Sequence, residues 1–212
     1  MCTQESTTSA SISIAILCGG LSRRFGAEKA LAMARERPLV EWIVGRLSPV
    51  TDDLFLQMSP EATSVPGLPV YHDRCPGCGP LSGIHGAIEN ARNDLVFVCA
   101  SDMPSVDPRL PGLLADLGHD ADAVVPRWSN GWIEPLASVY DRRVLPTVTT
   151  RLEGGDYRLA GFLSSLDRIV HVPVEPLFAG GSLCPGCFSN INSRDELERW
   201  VEGAVLSPGE RA

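Results

Sequence analysis

The chain contains no apolar run approaching the roughly 18 residues that a membrane-crossing helix needs, so no helical span is expected. No secretory leader is expected either. Residues 1–11 are rich in Ser and Thr, carry Glu5 and lack a basic segment followed by an apolar one, so they read as a flexible tail. Residues 203–212, with Ser207-Pro208-Gly209, read the same way. Basic charge is in short supply. Against 26 Asp and Glu stand only 18 Lys and Arg, and the net charge of -8 has the wrong sign for a nonspecific nucleic-acid binder. Neither an internal repeat of solenoid period nor a low-complexity block is present, which leaves out solenoids and arrays. What remains is 212 residues of ordinary globular composition, enough for one α/β domain with a full core. The seven cysteines, an odd number, fit a reducing cytoplasm.

An apolar run from Ile12 to Leu17 reads as a buried first strand and passes directly into Cys18-Gly19-Gly20-Leu21-Ser22-Arg23-Arg24-Phe25-Gly26-Ala27-Glu28-Lys29. Glycines let backbone N–H groups approach a phosphate unobstructed, and a loop of such donors forms an anion nest. Arg23, Arg24 and Lys29 concentrate positive charge where a triphosphate would lie, so the acidic net charge does not exclude an anionic nucleotide. Lys29 comes too late after Gly20 for a P-loop, and the glycine spacing is not that of a dinucleotide-binding Rossmann turn. A plain glycine turn entering a helix is the structural alternative.

Two further segments share this layout. A short strand-like stretch, 68–71, leads to Asp73 and then to Pro76-Gly77-Cys78-Gly79-Pro80-Leu81-Ser82-Gly83. The apolar run 95–99 ends in Ala100-Ser101-Asp102-Met103-Pro104. Carboxylates just beyond the C-terminal ends of parallel strands stand where α/β sheets bind ligands. Asp102 offers the hard anionic oxygen that Mg2+ bridging phosphates requires, or else caps a turn before Pro104. Strands are expected near 12–18, 54–58, 68–71, 95–99, 122–125, 135–140 and 169–173. Helices are expected over 38–47, 81–91, 107–117, 142–151, 157–165 and 193–202. Their alternation favours a parallel sheet with right-handed crossovers. Leu39, Ile43 and Leu47 form a core-facing stripe, and Ser193 with Glu196 has capping-box spacing.

Taken in order, these segments resemble the nucleotidyltransferase superfamily, whose leader runs Leu-Ala-Gly-Gly-x-Ser-x-Arg-Met-Gly-x-Asp-Lys-Ala-Leu. The pair Gly19-Gly20 is similar to the molybdenum cofactor guanylyltransferase (MobA-type) branch, whereas relatives using CTP more often carry Ala-Ala-Gly. Cys18 replaces Ala, Phe25 replaces Met and Glu28 replaces Asp. The Gly79–Gly83 segment resembles Gly-Pro-Leu-Ala-Gly with Ser82 for Ala, and 101–104 resembles Cys-Asp-Met-Pro with Ser101 for Cys. Glu134-Pro135-Leu136-Ala137-Ser138-Val139-Tyr140, Gly155-Asp156-Tyr157-Arg158-Leu159 and Phe188-Ser189-Asn190-Ile191-Asn192-Ser193 extend the resemblance to about residue 202.

The resemblance implies a single Rossmann-like three-layer α/β domain over 12–202, with a mostly parallel central sheet as in nucleotide-diphospho-sugar transferases. It implies transfer of GMP from GTP to molybdopterin or Mo-molybdopterin with release of pyrophosphate. Mg2+ would be the cofactor and molybdoenzyme maturation proteins the protein partners. Leu17, Cys18, Gly19 and Gly20 would hold the nucleotide, with Gln57 and Asp73 in the same site. Arg24 and Lys29 would stabilise the departing phosphates, and Asp102 would bind Mg2+ and complete the catalytic set. Gly83, Asn190 and Asn192 would line the acceptor side. Other readings stay open: an exposed strand position for Gln57, Asx turns for the two asparagines, CTP as donor or a different phosphorylated acceptor, and a noncatalytic nucleotide- or metal-binding protein.

Two copies of Cys-Pro-Gly-Cys, at 75–78 and 184–187, are not part of the family pattern, and each abuts a family segment. If both segments border one cleft, Cys75, Cys78, Cys184 and Cys187 could form a tetrahedral zinc or iron clip. Reduced loop cysteines and a disulfide or redox pair are the other two readings. His85 could join such a clip or pack on the helix begun at Leu81.

Overall fold

All seven residues of strand β1 (Ile12–Cys18) are buried, as its unbroken apolar run requires of a strand covered on both faces. The computed structural model describes residues 11–19, 21–22, 27–60, 67–184 and 186–203. After β1 come two-residue strands β2 (Leu21–Ser22) and β3 (Ala27–Glu28), paired with each other, then β4 (Met33–Ala34) and β5 (Arg37–Pro38), likewise paired. Helix α1 (Leu39–Leu47) leads to β6 (Leu54–Met58) and β7 (Val70–His72). Then follow α2 (Pro80–Asn90), β8 (Leu95–Ala100), α3 (Leu110–Leu117), β9 (Ala123–Arg127) and β10 (Ala137–Asp141). The chain closes through α4 (Leu145–Glu153), α5 (Leu159–Ser164), β11 (Ile169–Pro173), α6 (Val174–Ala179) and α7 (Arg194–Val201).

The central sheet has seven strands in the order β11-β9-β10-β8-β1-β6-β7. Only β10 runs against its neighbours, pairing antiparallel with both β8 and β9. Alternation along β1 divides the core. Ile12, Ile14 and Ile16 meet Val40, Ile43 and Leu47 of α1 and Leu110 and Leu114 of α3 on one face. Ala15 and Leu17 meet Leu81, Ile84 and Ile88 of α2, Val148 of α4 and Phe162 of α5 on the other. Helices on both faces of one sheet make the expected three layers.

Most expected elements are present with shifted ends. Helix α3 begins at Leu110, three residues later than read, because Asp107 Oδ1 accepts the Arg109 N–H at 3.0 Å and turns the chain first. The expected capping box forms: Ser193 Oγ accepts the Glu196 N–H at 3.2 Å, and Glu196 Oε2 accepts the Ser193 N–H at 3.1 Å. Helix α6 was not read from the sequence, since Pro173, Pro176 and the pair Gly180-Gly181 punctuate it as loop. Pro176 sits in its first turn, where no backbone N–H is needed.

Candidate active site

Parallel pairing directs the C-terminal ends of β1, β6, β7 and β8 to one edge of the sheet. Backbone hydrogen bonds beyond the strands then join the loops that follow them. Ser101 donates its N–H to Leu17 O at 3.1 Å, fastening the turn after β8 to the end of β1. Asp73 donates to Met58 O at 2.9 Å, fixing the residue after β7 beside the end of β6. Ile191, far away in sequence, donates to Asp102 O at 2.9 Å. Leu17, Cys18, Gly19, Asp73, Asp102 and the half-buried Asn190 and Asn192 therefore share one rim. Helix α2 starts at the same rim, and Gly83 presses on β1 so closely that a Cβ there would lie 3.0 Å from Leu17 Cδ1. Gly83 thus acts in packing between α2 and β1.

Asp73 is held from below. Gln57 is 1% exposed, and its Nε2 donates to Asp73 Oδ1 at 2.8 Å. Asn90 Nδ2 lies 3.5 Å from Gln57 Oε1 and donates to Gly86 O at 2.8 Å. A Cβ on Gly86 would come within 2.3 Å of Gln57 Nε2, so a side chain at 86 would displace the amide. The exposed-strand reading of Gln57 is corrected. All five residues of β6 are buried, because the strand is covered on both faces. Burial pushes the Asp73 carboxyl above the ordinary carboxylate range, and the Gln57 hydrogen bond only partly offsets this.

Asp102 occupies the turn after β8, half-buried, with the buried Ser101 and Met103 on either side. Among the described residues no three His, Cys, Asp or Glu side chains gather to form a complete metal site. The hard carboxylate oxygens of Asp102 are of the kind Mg2+ accepts, an ion that takes one or two carboxylates and completes its shell with phosphate oxygens and water. Of the cationic candidates, Lys29 opens a short 3-10 turn, Lys29–Leu31. Gly20, Arg23 and Arg24 lie outside the described residues.

The four-sulfur clip is not formed. Cys75 is bonded to Cys78 instead, while Cys184 and Cys187 are free thiols, the first exposed and the second buried. His85 joins no cluster either. It is 5% exposed in α2, with Nε2 3.0 Å from Thr149 Oγ1 of α4, and serves the contact between those helices.

Asp107, which the sequence reading passed over, is 2% exposed and fastens the rim loops. Its carboxylate accepts from Arg109 N, Nε and Nη2 at 2.8 to 3.0 Å and from Cys184 N at 2.9 Å. Arg109 in turn reaches Gly181 O at 3.3 Å. Burial alone would raise this carboxyl, but the Arg109 and Cys184 hydrogen bonds hold it well below the usual range. The only available signal was Asp107-Pro108-Arg109 ahead of an apolar helix, an Asx-turn pattern. A second fastening comes from Trp128, whose ring packs 5.9 Å from Phe188 while its Nε1 donates to buried Glu134 at 3.0 Å.

A mostly parallel open sheet with a glycine loop after its first strand and two carboxylates at its C-terminal rim defines a nucleotide-handling α/β protein of the nucleotidyltransferase class. The family model described as MobA-like NTP transferase domain matches residues 14–169. The chain belongs to that family. It is 30% identical over 208 residues to a Methanosarcina mazei protein named as a probable molybdenum cofactor guanylyltransferase, covering 92% of each chain. It is 37% identical over 141 residues to a protein of the same name from Carboxydothermus hydrogenoformans, covering 66% of this chain and 71% of the other. Among solved structures, molybdopterin-guanine dinucleotide biosynthesis protein A from Archaeoglobus fulgidus superposes with a TM-score of 0.76 at 28% identity, over 90% of this chain and 97% of that one. The 2-C-methyl-D-erythritol 4-phosphate cytidylyltransferase of Thermus thermophilus shares the fold at 17% identity with a TM-score of 0.66.

Proposed function

We propose that this chain transfers GMP from GTP to molybdopterin or its molybdenum-loaded form, in an Mg2+-dependent reaction that releases pyrophosphate. The observation that carries the reading is the pair of hydrogen bonds Ser101 N–H to Leu17 O and Ile191 N–H to Asp102 O. They bring Leu17, Asp102 and the 190–192 segment, to which this reading gives the nucleotide, the metal and the acceptor, to one rim.

The chemistry is displacement at phosphorus, so the protein has mainly to orient two anions and neutralise charge. A phosphate oxygen of the acceptor attacks the α-phosphorus of GTP, and the bond to the β,γ-pyrophosphate breaks in line with it. The backbone from Leu17 to Gly20 takes the nucleotide. Lys29, with Arg24, neutralises the negative charge that grows on the leaving pyrophosphate. Asp102 is the residue that would hold Mg2+, which would supply positive charge to neutralise the phosphates. Asp73 is a carboxylate suited to accept guanine N–H donors, and Gln57 keeps it from rotating away. Asn190 and Asn192 offer amides to the acceptor. A cytoplasmic site of action, alongside the GTP pool and the maturation proteins that receive the dinucleotide, belongs to the same reading.

GTP labelled at the α-phosphate tests it. With molybdopterin and Mg2+, the label should pass into a guanine dinucleotide, and a γ-label should leave in pyrophosphate. Label leaving as inorganic phosphate would identify a hydrolase and contradict the proposal.

A further inference from the structure

The two Cys-Pro-Gly-Cys segments share two features at their described residues. Cys78 N donates to Cys75 O at 3.2 Å, and Cys187 N donates to Cys184 O at 3.2 Å. In both, the glycine adopts a left-handed conformation that other residues resist, with φ of 81° at Gly77 and 84° at Gly186. The first turn carries a bond between its sulfurs with a Cα–Cα separation of 5.6 Å, well within the span a disulfide bridges. The second turn is open. The second pair thus shares with the bonded pair its spacing, its turn hydrogen bond and its left-handed glycine.

The open pair is also asymmetric. Cys184 is exposed, whereas Cys187 has no solvent access and burial pushes its thiol up to about 12. Arg109 Nη2 lies 3.8 Å from Cys184 Sγ, which sets positive charge beside the accessible sulfur. Asp107 anchors the turn by accepting the Cys184 N–H at 2.9 Å. The other cysteines of the described residues outside the disulfide, Cys18 and Cys99, are buried in the core.

We propose that Cys184 and Cys187 form a thiol–disulfide exchange site for a low-molecular-weight anionic disulfide of the glutathione type, with Cys184 as the attacking sulfur and Cys187 as the resolving one. Cys184 sulfur bonds one sulfur of the incoming disulfide and expels the other half as a thiolate. Cys187 then attacks Cys184 Sγ and expels the second half. The protein dithiol loses two electrons and two protons, and the small disulfide becomes two thiols. Arg109 attracts the carboxylates of the reagent.

The test uses the whole chain, fully reduced and then exposed to excess glutathione disulfide at neutral pH. Alkylation and peptide mapping separate Cys184 and Cys187 from Cys2, Cys18, Cys75, Cys78 and Cys99. The wild type should lose both thiols of the 184–187 pair and gain a bond between them, retaining no glutathione there. Cys187→Ser should keep one glutathione on Cys184, and Cys184→Ser should give no adduct at Cys187. Absence of the internal bond in the wild type overturns the proposal without recourse to any variant. A glutathione adduct on Cys187 in Cys184→Ser that matches the Cys184 adduct of Cys187→Ser overturns the assigned order of attack.

Discussion

At the scale of single residues, the two rim carboxylates answer to different forces. Asp73 pays a desolvation cost in its charged form, because its folded pKa is raised and the penalty persists at every pH above that value. Asp73→Asn removes the charge while keeping an oxygen for the Gln57 amide to bond. The variant should therefore melt at or above the wild-type temperature, yet its KM for GTP should rise by roughly 10- to 100-fold, the loss of a hydrogen bond to a charged group. Thermal melts and steady-state kinetics on one preparation check both. Asp102→Ala has a different signature. Its half-buried side chain stands in a turn, so the fold should survive with an unchanged circular dichroism spectrum while Mg2+-dependent transfer falls by about 100-fold or more. Retained activity would remove Asp102 from the metal site.

At the scale of elements, α2 acts through the strands beneath it. Gly86 touches the Gln57 amide, and Gln57 holds Asp73, so a single methyl on the helix should be felt at the nucleotide. Gly86→Ala is expected to cost about 1–3 kcal/mol by overpacking and to raise KM for GTP, measured by denaturant titration and kinetics. The loop from Gly181 to Cys187 depends similarly on Asp107. Its carboxyl has a depressed folded pKa, so its stabilisation is complete above the ordinary value of about 4 and declines as pH falls below it. Asp107→Asn should be less stable than wild type by about 1–3 kcal/mol at neutral pH, and the gap should narrow as pH drops below about 4. A gap independent of pH would show that the charge is not what anchors the loop.

Legibility in the sequence also divided at this scale. Asp73, Asp102 and the glycine loop could be read because each follows an apolar run that ends abruptly. Gln57 could not be placed, because a strand buried on both faces has no alternation to reveal which way a polar residue points. Asp107 was missed because its partners lie both two residues and 77 residues away, and only the fold brings the second in. The two Cys-Pro-Gly-Cys pairs were visible in the sequence, but nothing in their spacing reports whether the pairs meet, and the clip expected from them is not formed. Helix α6 was hidden by prolines that a first turn tolerates.

At the scale of the whole molecule, topology explains why residues so far apart work together. Six strands run one way, so the loops after β1, β7 and β8 emerge at one rim, and the return of the chain to Ile191 closes it. With a net charge of -8, a polyanion finds its favourable contacts in local concentrations of positive charge, such as the sequence cluster Arg23, Arg24 and Lys29, rather than on the surface at large. The base and the acceptor are the finer commitments, and a competition assay addresses them together. Purified protein with molybdopterin and Mg2+ should be given equimolar GTP and CTP, and the dinucleotide products and pyrophosphate quantified. The account expects guanine dinucleotide to dominate, with pyrophosphate formed in equal amount. A predominantly cytosine product, or nucleotide binding with no dinucleotide at all, would contradict it.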